Sequence, residues 1–305
     1  MEGVSAAIET HQLTKSYGSA RGIEELDLRV DHGEVHGFLG PNGAGKSTTI
    51  RVLLDFHRPT SGSAQVLGLD TTRDSVEVRR RVGFLSSDLR LFDRMTGADH
   101  VRFFSRARGG HDEAYAKELV ERFSIALDRP VTELSKGNRQ KGGLLLAFMH
   151  RPELLILDEP TTGLDPLVQS EFDHLVRETA ADGRTVLLSS HSLDEVQRVA
   201  DRVTIIRDGR LVVSDTVEHL REQAPQVMTL RFAGAADVDA FRTLDSVVTV
   251  HGAADTVTLE LKGPVGPVLQ EALRQGVVDL SARHADLDEL FLAYYSGNGE
   301  VERGE

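Results

Sequence analysis

The run Gly40-Pro41-Asn42-Gly43-Ala44-Gly45-Lys46-Ser47-Thr48 constrains this chain more than any other stretch. Its spacing is G-x-x-x-x-G-K-S. An apolar segment, Glu34 to Leu39, leads into it, and a helix-like segment, Thr48 to Leu54, leaves it. The pattern is a strand, a glycine-rich turn and a helix start. Such a turn lets the backbone N–H groups of Gly40, Asn42, Gly43, Ala44 and Gly45 converge on phosphate oxygens without Cβ interference, and the helix N-terminus adds its positive dipole end. Lys46 supplies a full positive charge, and the Ser47 hydroxyl can ligate Mg²⁺. The alternative is a glycine-rich turn that binds nothing, and the strand-before, helix-after context argues against it. The run alone says only that a nucleotide binds.

At 305 residues the chain is comfortable for two domains. Its 40% hydrophobic and 27% charged content suits a soluble globular protein. No apolar run reaches membrane-spanning length, since the stretch Gly142 to Leu157 is cut by His150-Arg151-Pro152-Glu153. No basic n-region followed by an apolar h-region opens the chain, so no signal peptide is expected. The absence of cysteine excludes disulfides, thiolate metal sites and Cys nucleophiles. A net charge of −13 argues against a duplex-binding surface, so no nucleic-acid partner is expected.

Residues 8–30 read as two strands around the turn Tyr17-Gly18-Ser19. Arg58 to Ser63 reads as a turn, Ala64 to Leu67 as a strand, Ser75 to Arg81 as a helix and Val82 to Leu85 as a short strand. From Thr96 to Met149 the periodicity becomes helical, with Thr96 as an N-cap, a break at Gly109-Gly110 and a third helix opening near Ser135. The α/β pattern then resumes. Leu154 to Glu159 reads as a parallel strand buried on both faces and ending in acids. A helix from Leu167 to Ala181, a strand Thr185 to Ser189, a helix Leu193 to Ala200 and a strand pair around Asp208-Gly209 complete it. From about Asp215 the character changes to a small α+β unit. Strands are predicted at Val227–Phe232 and Val257–Leu261, helices at Ala236–Leu244 and Val265–Arg274, and a last helix at Leu287–Tyr295. A frayed tail follows from Gly297.

Asp158-Glu159 stands at the C-terminal end of a buried strand, where open parallel sheets place their ligand sites. Asp158 is suited to orienting Mg²⁺ or its waters, and Glu159 to polarising a water for attack on a γ-phosphate. The alternative is a pair of acids that simply ends a strand. His191 follows the strand Val186 to Ser190, which belongs in the same sheet and so brings its imidazole to the same edge. Leu134-Ser135-Lys136-Gly137-Asn138-Arg139-Gln140 is, by itself, a capped helix start.

Taken in order, these pieces resemble the ATP-binding-cassette (ABC) family over about residues 8–213. The Walker A run Gly40–Thr48 comes first. A signature Ser135-Lys136-Gly137 precedes the Walker B run Leu154–Glu159. Thr162-Gly163-Leu164-Asp165 follows as a D-loop, and His191 as the switch histidine. The resemblance implies a P-loop ATPase core within the α/β class: a mixed sheet with flanking helices, an N-terminal antiparallel β part and an inserted helical subdomain at about 88–150. The cassette would span 1–214, with a small accessory α+β domain at 215–305. It implies ATP and Mg²⁺ as cofactors. Tyr17 would stack on adenine, with a buried core tyrosine as the alternative. Lys46, Ser47 and Thr48 would hold phosphates and metal, Ser47 and Asp158 serving the metal. Glu159 would be the general base and His191 the γ-phosphate sensor. Ser135, Gly137 and Asp165 would reach across a dimer to the second subunit's ATP.

Two departures from the family pattern stand out. Lys136 and Asn138 replace the first Gly and the Gln of Leu-Ser-Gly-Gly-Gln; the Lys keeps positive charge and the Asn keeps an amide. After Gly83-Phe84-Leu85, Ser87 stands where a Gln is expected. A Ser side chain is too short to reach Mg²⁺ as that amide does, which leaves water or Asp88 to substitute, or a looser coupling. The signature, this loop and the run Phe92 to Gly97 resemble the drug- and antibiotic-resistance branch of bacterial exporters. That resemblance implies a transmembrane permease on a separate chain, a second ATP-binding subunit as a homodimer partner, and a cytoplasmic position on the inner face of the membrane. It implies export of a drug, antibiotic or lipid-like substrate, with the region Ser86–Gly97 passing motion to the permease. A soluble cassette ATPase acting on ribosome or nucleic acid is the runner-up. For the C-terminal unit, a dimerising or regulatory role and a solvated satellite both stay open.

Overall fold

A computed structural model of the chain describes residues 6–18, 20–223 and 226–284. They form two compact units that divide after Thr216. The predicted helix Leu287–Tyr295 and the tail beyond it lie outside the described residues.

The first unit opens with β1 (Ala6–Tyr17), β2 (Ala20–Leu26), β3 (Arg29–Asp31) and β4 (Val35–Leu39), followed by α1 (Lys46–Leu53), β5 (Ser61–Val66), β6 (Leu69–Asp70), α2 (Ser75–Arg81) and β7 (Val82–Leu85). Three helices come next: α3 (Gly97–Arg108), α4 (Glu113–Arg122) and α5 (Lys136–Phe148). The unit closes with β8 (Leu154–Asp158), α6 (Pro166–Ala181), β9 (Thr185–Ser190), α7 (Leu193–Gln197), β10 (Arg202–Arg207) and β11 (Arg210–Thr216). Strand β5 begins earlier than the predicted turn allows, because Ser61, Ser63 and Ala64 pair with Thr14, His11 and Thr10 of β1. It also ends before Leu67, whose φ of 52° leaves the extended region.

Two sheets share this unit. One is antiparallel, in the order β2-β1-β5-β6 with β3 also on β1. The other runs β11-β10-β4-β9-β8-β7, parallel from β10 to β7 and edged by antiparallel β11. Its central strands are buried at every position: Val35–Leu39, Leu154–Asp158 and Thr185–Ser190. Continuous apolar runs such as Leu-Leu-Ile-Leu are what a strand covered on both faces needs. Burying each such side chain contributes about 1.5–3 kcal/mol. Ile50, Leu53, Phe38, Ile156 and Leu187 join one core.

The register of this sheet decides where its chemistry lies. Leu39 pairs with Ser190, Asp158 with Ser189, and Leu85 with Leu157. The residues that follow β4, β7, β8 and β9 therefore leave one edge together, at the C-terminal ends of parallel strands.

The three-helix block is built on local capping. Thr96 and Asp99 form a reciprocal capping box, and Gly109, at φ 84°, ends α3 in the left-handed region. Asp112 caps α4 and Ser135 caps α5. Arg122 at the end of α4 pairs with Glu171 and Glu178 of α6. This fastens the block to the sheet-bearing part.

The second unit contains α8 (Val217–Gln223), β12 (Gln226–Phe232), α9 (Val238–Arg242), β13 (Val247–Ala253), β14 (Thr256–Leu261), α10 (Gly266–Arg274) and β15 (Val277–His284). After α8 the order is β-α-β-β-α-β, and the antiparallel sheet runs β13-β14-β12-β15, a split βαβ arrangement. Val257, Leu259 and Leu261 alternate onto one face and pack with Phe241, Val268 and Ala272 of the helices. Sequence pattern predicts two strands here, and the described residues form four. In β13 and β15 exposed residues such as Val248, His251 and Asp279 blur the alternation.

Candidate nucleotide site

The turn after β4 carries the glycine-rich run. Gly45 has φ 113° immediately before α1, a conformation open to glycine and costly for other residues. A Cβ there would lie 2.8 Å from Ile23 Cγ2, so space as well as conformation demands glycine. Gly43 is also left-handed, at φ 82°. The run lines a cleft of about 300 Å³ with Lys46, Ser47, Thr48, Ser87 and Glu159.

Lys46 is 6% exposed. Its Nζ donates to the carbonyl of Gly40 at 2.5 Å and approaches Glu159 Oε1 at 3.4 Å. Glu159 Oε2 in turn meets His191 Nδ1 at 2.8 Å. A cation, a carboxylate and an imidazole thus stand in one chain of contacts at the sheet edge. Glu159 itself takes φ 51°, a rare backbone state for a non-glycine residue, and its N–H is held at 3.2 Å by both the carbonyl and the hydroxyl of Ser189.

Asp158, 3% exposed, is the second centre. Its Oδ2 accepts the Ser47 hydroxyl at 2.8 Å and the Ser87 hydroxyl at 2.7 Å, and its Oδ1 accepts the Ser189 hydroxyl at 2.5 Å. The sequence reading leaves Ser87 too short for a role at the metal. In the structure its hydroxyl donates to the Asp158 carboxylate. Asp88, the suggested substitute, instead pairs with Arg90 at 2.9 Å and is well exposed.

The signature and D-loop meet each other. Ser135 caps α5 through Asn138 N–H, and Asp165 caps α6 through Val168 N–H. A Cβ on Gly137 would come within 2.8 Å of the Gly163 carbonyl oxygen, so the two segments touch through glycine backbone. Buried Gln140 adds a bond from its amide to the Pro160 carbonyl at 2.9 Å. Ser135, Gly137 and Asp165 are not among the side chains that surround Lys46 and Asp158. Tyr17 also stands outside that cluster: its hydroxyl meets His57 Nδ1, the His57 ring packs edge-on against it, Lys15 Nζ lies 5.2 Å from its ring centroid, and 40% of it is exposed.

Sequence reasoning passes over Ser189 and Gln140, and finds in Ser87 only a missing Gln. Ser189 reads as one more small residue in a buried strand, although its position two residues before His191 is a usable signal. Gln140 shows only a polar residue in a helix.

A second, larger cavity of about 450 Å³ lies between α1, β7 and the helical block. Phe56, Phe84, Leu89 and Phe104 give it an apolar lining, and Ser86 and Asp88 reach its wall. Arg108 at its rim donates to the carbonyls of Arg79 and Arg80. Burial holds this guanidinium below its ordinary value.

A family model described as "ABC transporter" matches residues 23–162. The daunorubicin/doxorubicin resistance ATP-binding protein DrrA of Streptomyces peucetius is 35% identical over 94% of this chain and 92% of its own length. The bacitracin transport ATP-binding protein BcrA of Bacillus licheniformis is 35% identical over 72% of this chain and 73% of its own. A solved structure of an ATP-binding subunit of an ABC transporter superposes with a TM-score of 0.66 at 30% identity, covering 71% of this chain and 92% of that one. A dimeric ATP-binding cassette in a post-hydrolysis state with ADP and Pi shares the fold, with a TM-score of 0.63 at 20% identity.

Proposed function

The chain belongs to the ABC transporter family as an ATP-binding ATPase, and we propose that it drives an exporter as the energy-supplying subunit of a separate membrane-spanning partner. The observation that carries the reading is the convergence of Lys46, Glu159 and His191 beside Asp158, at the mouth of the glycine-rich turn.

ATP lies along the cleft, its phosphates held by Lys46 and by the backbone N–H groups from Gly43 to Thr48. The metal fits the donor set. The Ser47 hydroxyl and the Asp158 carboxylate, 2.8 Å apart, are hard oxygen donors of the kind Mg²⁺ takes alongside phosphates and water. Bound there, the ion would neutralise charge on the phosphates. Glu159 takes the proton of the attacking water, and His191, on its other carboxylate oxygen, orients it toward the γ-phosphate. The products are ADP and inorganic phosphate.

Two copies close on two ATP molecules. Ser135, Gly137 and Asp165 of one copy complete the phosphate shell of the other, using the α5 N-terminus as a positive dipole end. Among the described residues no helix is long and apolar enough to cross a membrane, which fits a permease on another chain. The 450 Å³ cavity, beside Ser86 and Asp88, offers that permease an apolar seat at the inner membrane face. The names of the relatives that match most of the chain point to a drug or antibiotic as cargo.

Glu159→Gln tests the reading. It keeps a hydrogen-bonding group at His191 while removing the base. Turnover is expected to fall about 10²–10⁴-fold with ATP binding retained and ATP-bound dimers accumulating in size-exclusion chromatography. Unchanged hydrolysis would remove Glu159 as the base. Recovery of ribosomes or nucleic acid, and of no membrane-spanning protein, from affinity purification out of solubilised membranes would favour the soluble-ATPase reading.

A further inference from the structure

The segment after β7 has a particular construction. Ser86 and Asp88 line the 450 Å³ cavity, while Ser87 between them lines the nucleotide cleft. The turn that follows β7 therefore presents neighbouring side chains to two different spaces. On the cleft side, Ser87 Oγ sits 2.7 Å from Asp158 Oδ2, the same oxygen that accepts Ser47 at 2.8 Å.

A carboxylate offers about four acceptor positions. Ser47, Ser87 and Ser189 occupy three of them. Two donors on Oδ2 and one on Oδ1 leave the carboxylate no free rotation about its Cβ–Cγ bond. The Ser47 hydroxyl spends its proton on Asp158, so its oxygen lone pairs are left for the cleft it lines. A fixed Asp158 thus fixes the hydroxyl that the proposed function assigns to Mg²⁺.

We propose that Ser87 is a positioning residue for the metal site: it orients Asp158, and through it Ser47, from a segment whose other side chains face the neighbouring cavity. This rests on reading the cleft as a Mg²⁺–ATP site. It assigns Ser87 a task different from that of a longer amide at the same position. An amide reaches the ion, whereas Ser87 acts on the carboxylate beside it. Ser87 is exposed and lies on a loop, so its replacement leaves the core untouched.

The test titrates Mg²⁺ against binding of a fluorescent ATP analogue to the full chain, with parallel binding in EDTA and a thermal melt of each variant. Ser87→Ala removes the donor, and Ser87→Thr keeps it. A hydrogen bond to a charged group on a partly solvated loop predicts about a five- to tenfold rise in the Mg²⁺ midpoint for S87A, with binding in EDTA unchanged and the midpoint restored in S87T. A midpoint that stays in place or falls in S87A overturns the assignment. So does an equal loss of binding with and without Mg²⁺, which would make Ser87 a shaper of the cleft alone. In both of those cases the wild type still binds the analogue, and the proposed function stands. A wild type that binds no analogue takes both readings down.

Discussion

Replacing Ser189 with Ala isolates one hydroxyl that serves both acids of the site. Ser189 is fully buried, and its Oγ donates to Asp158 Oδ1 at 2.5 Å while accepting the Glu159 N–H at 3.2 Å. The second of these bonds is backed up, because the Ser189 carbonyl takes the same N–H at 3.2 Å. The first is not. Asp158 is 3% exposed, so little water can replace the lost donor. A hydrogen bond to a charged group is worth about 1.5–3 kcal/mol, and Ala leaves only a small void. The expected loss is therefore about 2 kcal/mol. For a unit of this size that lowers Tm by about 4–8 °C. Circular-dichroism melts at neutral pH measure it, and hydrolysis assays should show a parallel loss because Asp158, which also accepts the Ser47 hydroxyl, is held less firmly. A Tm within a degree of wild type together with unchanged hydrolysis would show that this bond does not hold Asp158, and the account of the site would fail with it.

Gly137→Ala should weaken ATP-dependent dimers, since its methyl would sit 2.8 Å from the Gly163 carbonyl and push the signature helix from the D-loop. Overpacking costs about 1–3 kcal/mol, more than the roughly 1 kcal/mol of helix propensity that Ala adds. A higher Tm with intact dimers on size exclusion would refute the contact. His150 gives a pH dependence. Burial first, and the Arg108 charge second, push its pKa from 6.5 down to about 4. The unfolded chain binds a proton that the folded one refuses, so stability is complete above about 6.5 and is lost as pH falls toward 4. His150→Leu should therefore lose less Tm than wild type between pH 7.5 and pH 5, and identical losses would sink the argument.

The amino-acid sequence by itself determined the parts whose chemistry is local. A glycine-rich turn between strand and helix shows in spacing alone, because left-handed φ at Gly43 and Gly45 and a Lys at the helix start leave few other uses for the run. Leu154–Asp158 is legible because a strand covered on both faces must be apolar throughout and can turn acidic only at its end. The helical block declares itself through caps at Thr96 and Ser135. The second unit was half legible. Val257, Leu259 and Leu261 alternate cleanly, but β13 and β15 carry exposed residues that mask their period, and α8 follows β11 with no break in the sequence to mark it. What only the tertiary structure decided is who touches whom across the sheet edge. Sheet register sets Asp158 opposite Ser189 on one side and brings the Ser87 segment to it from the other, 71 residues from Asp158 in the chain. Register comes from packing of many side chains at once, so no single residue announces it. That is why Ser87 reads as a deficiency in the sequence and as a hydrogen-bond donor in the fold.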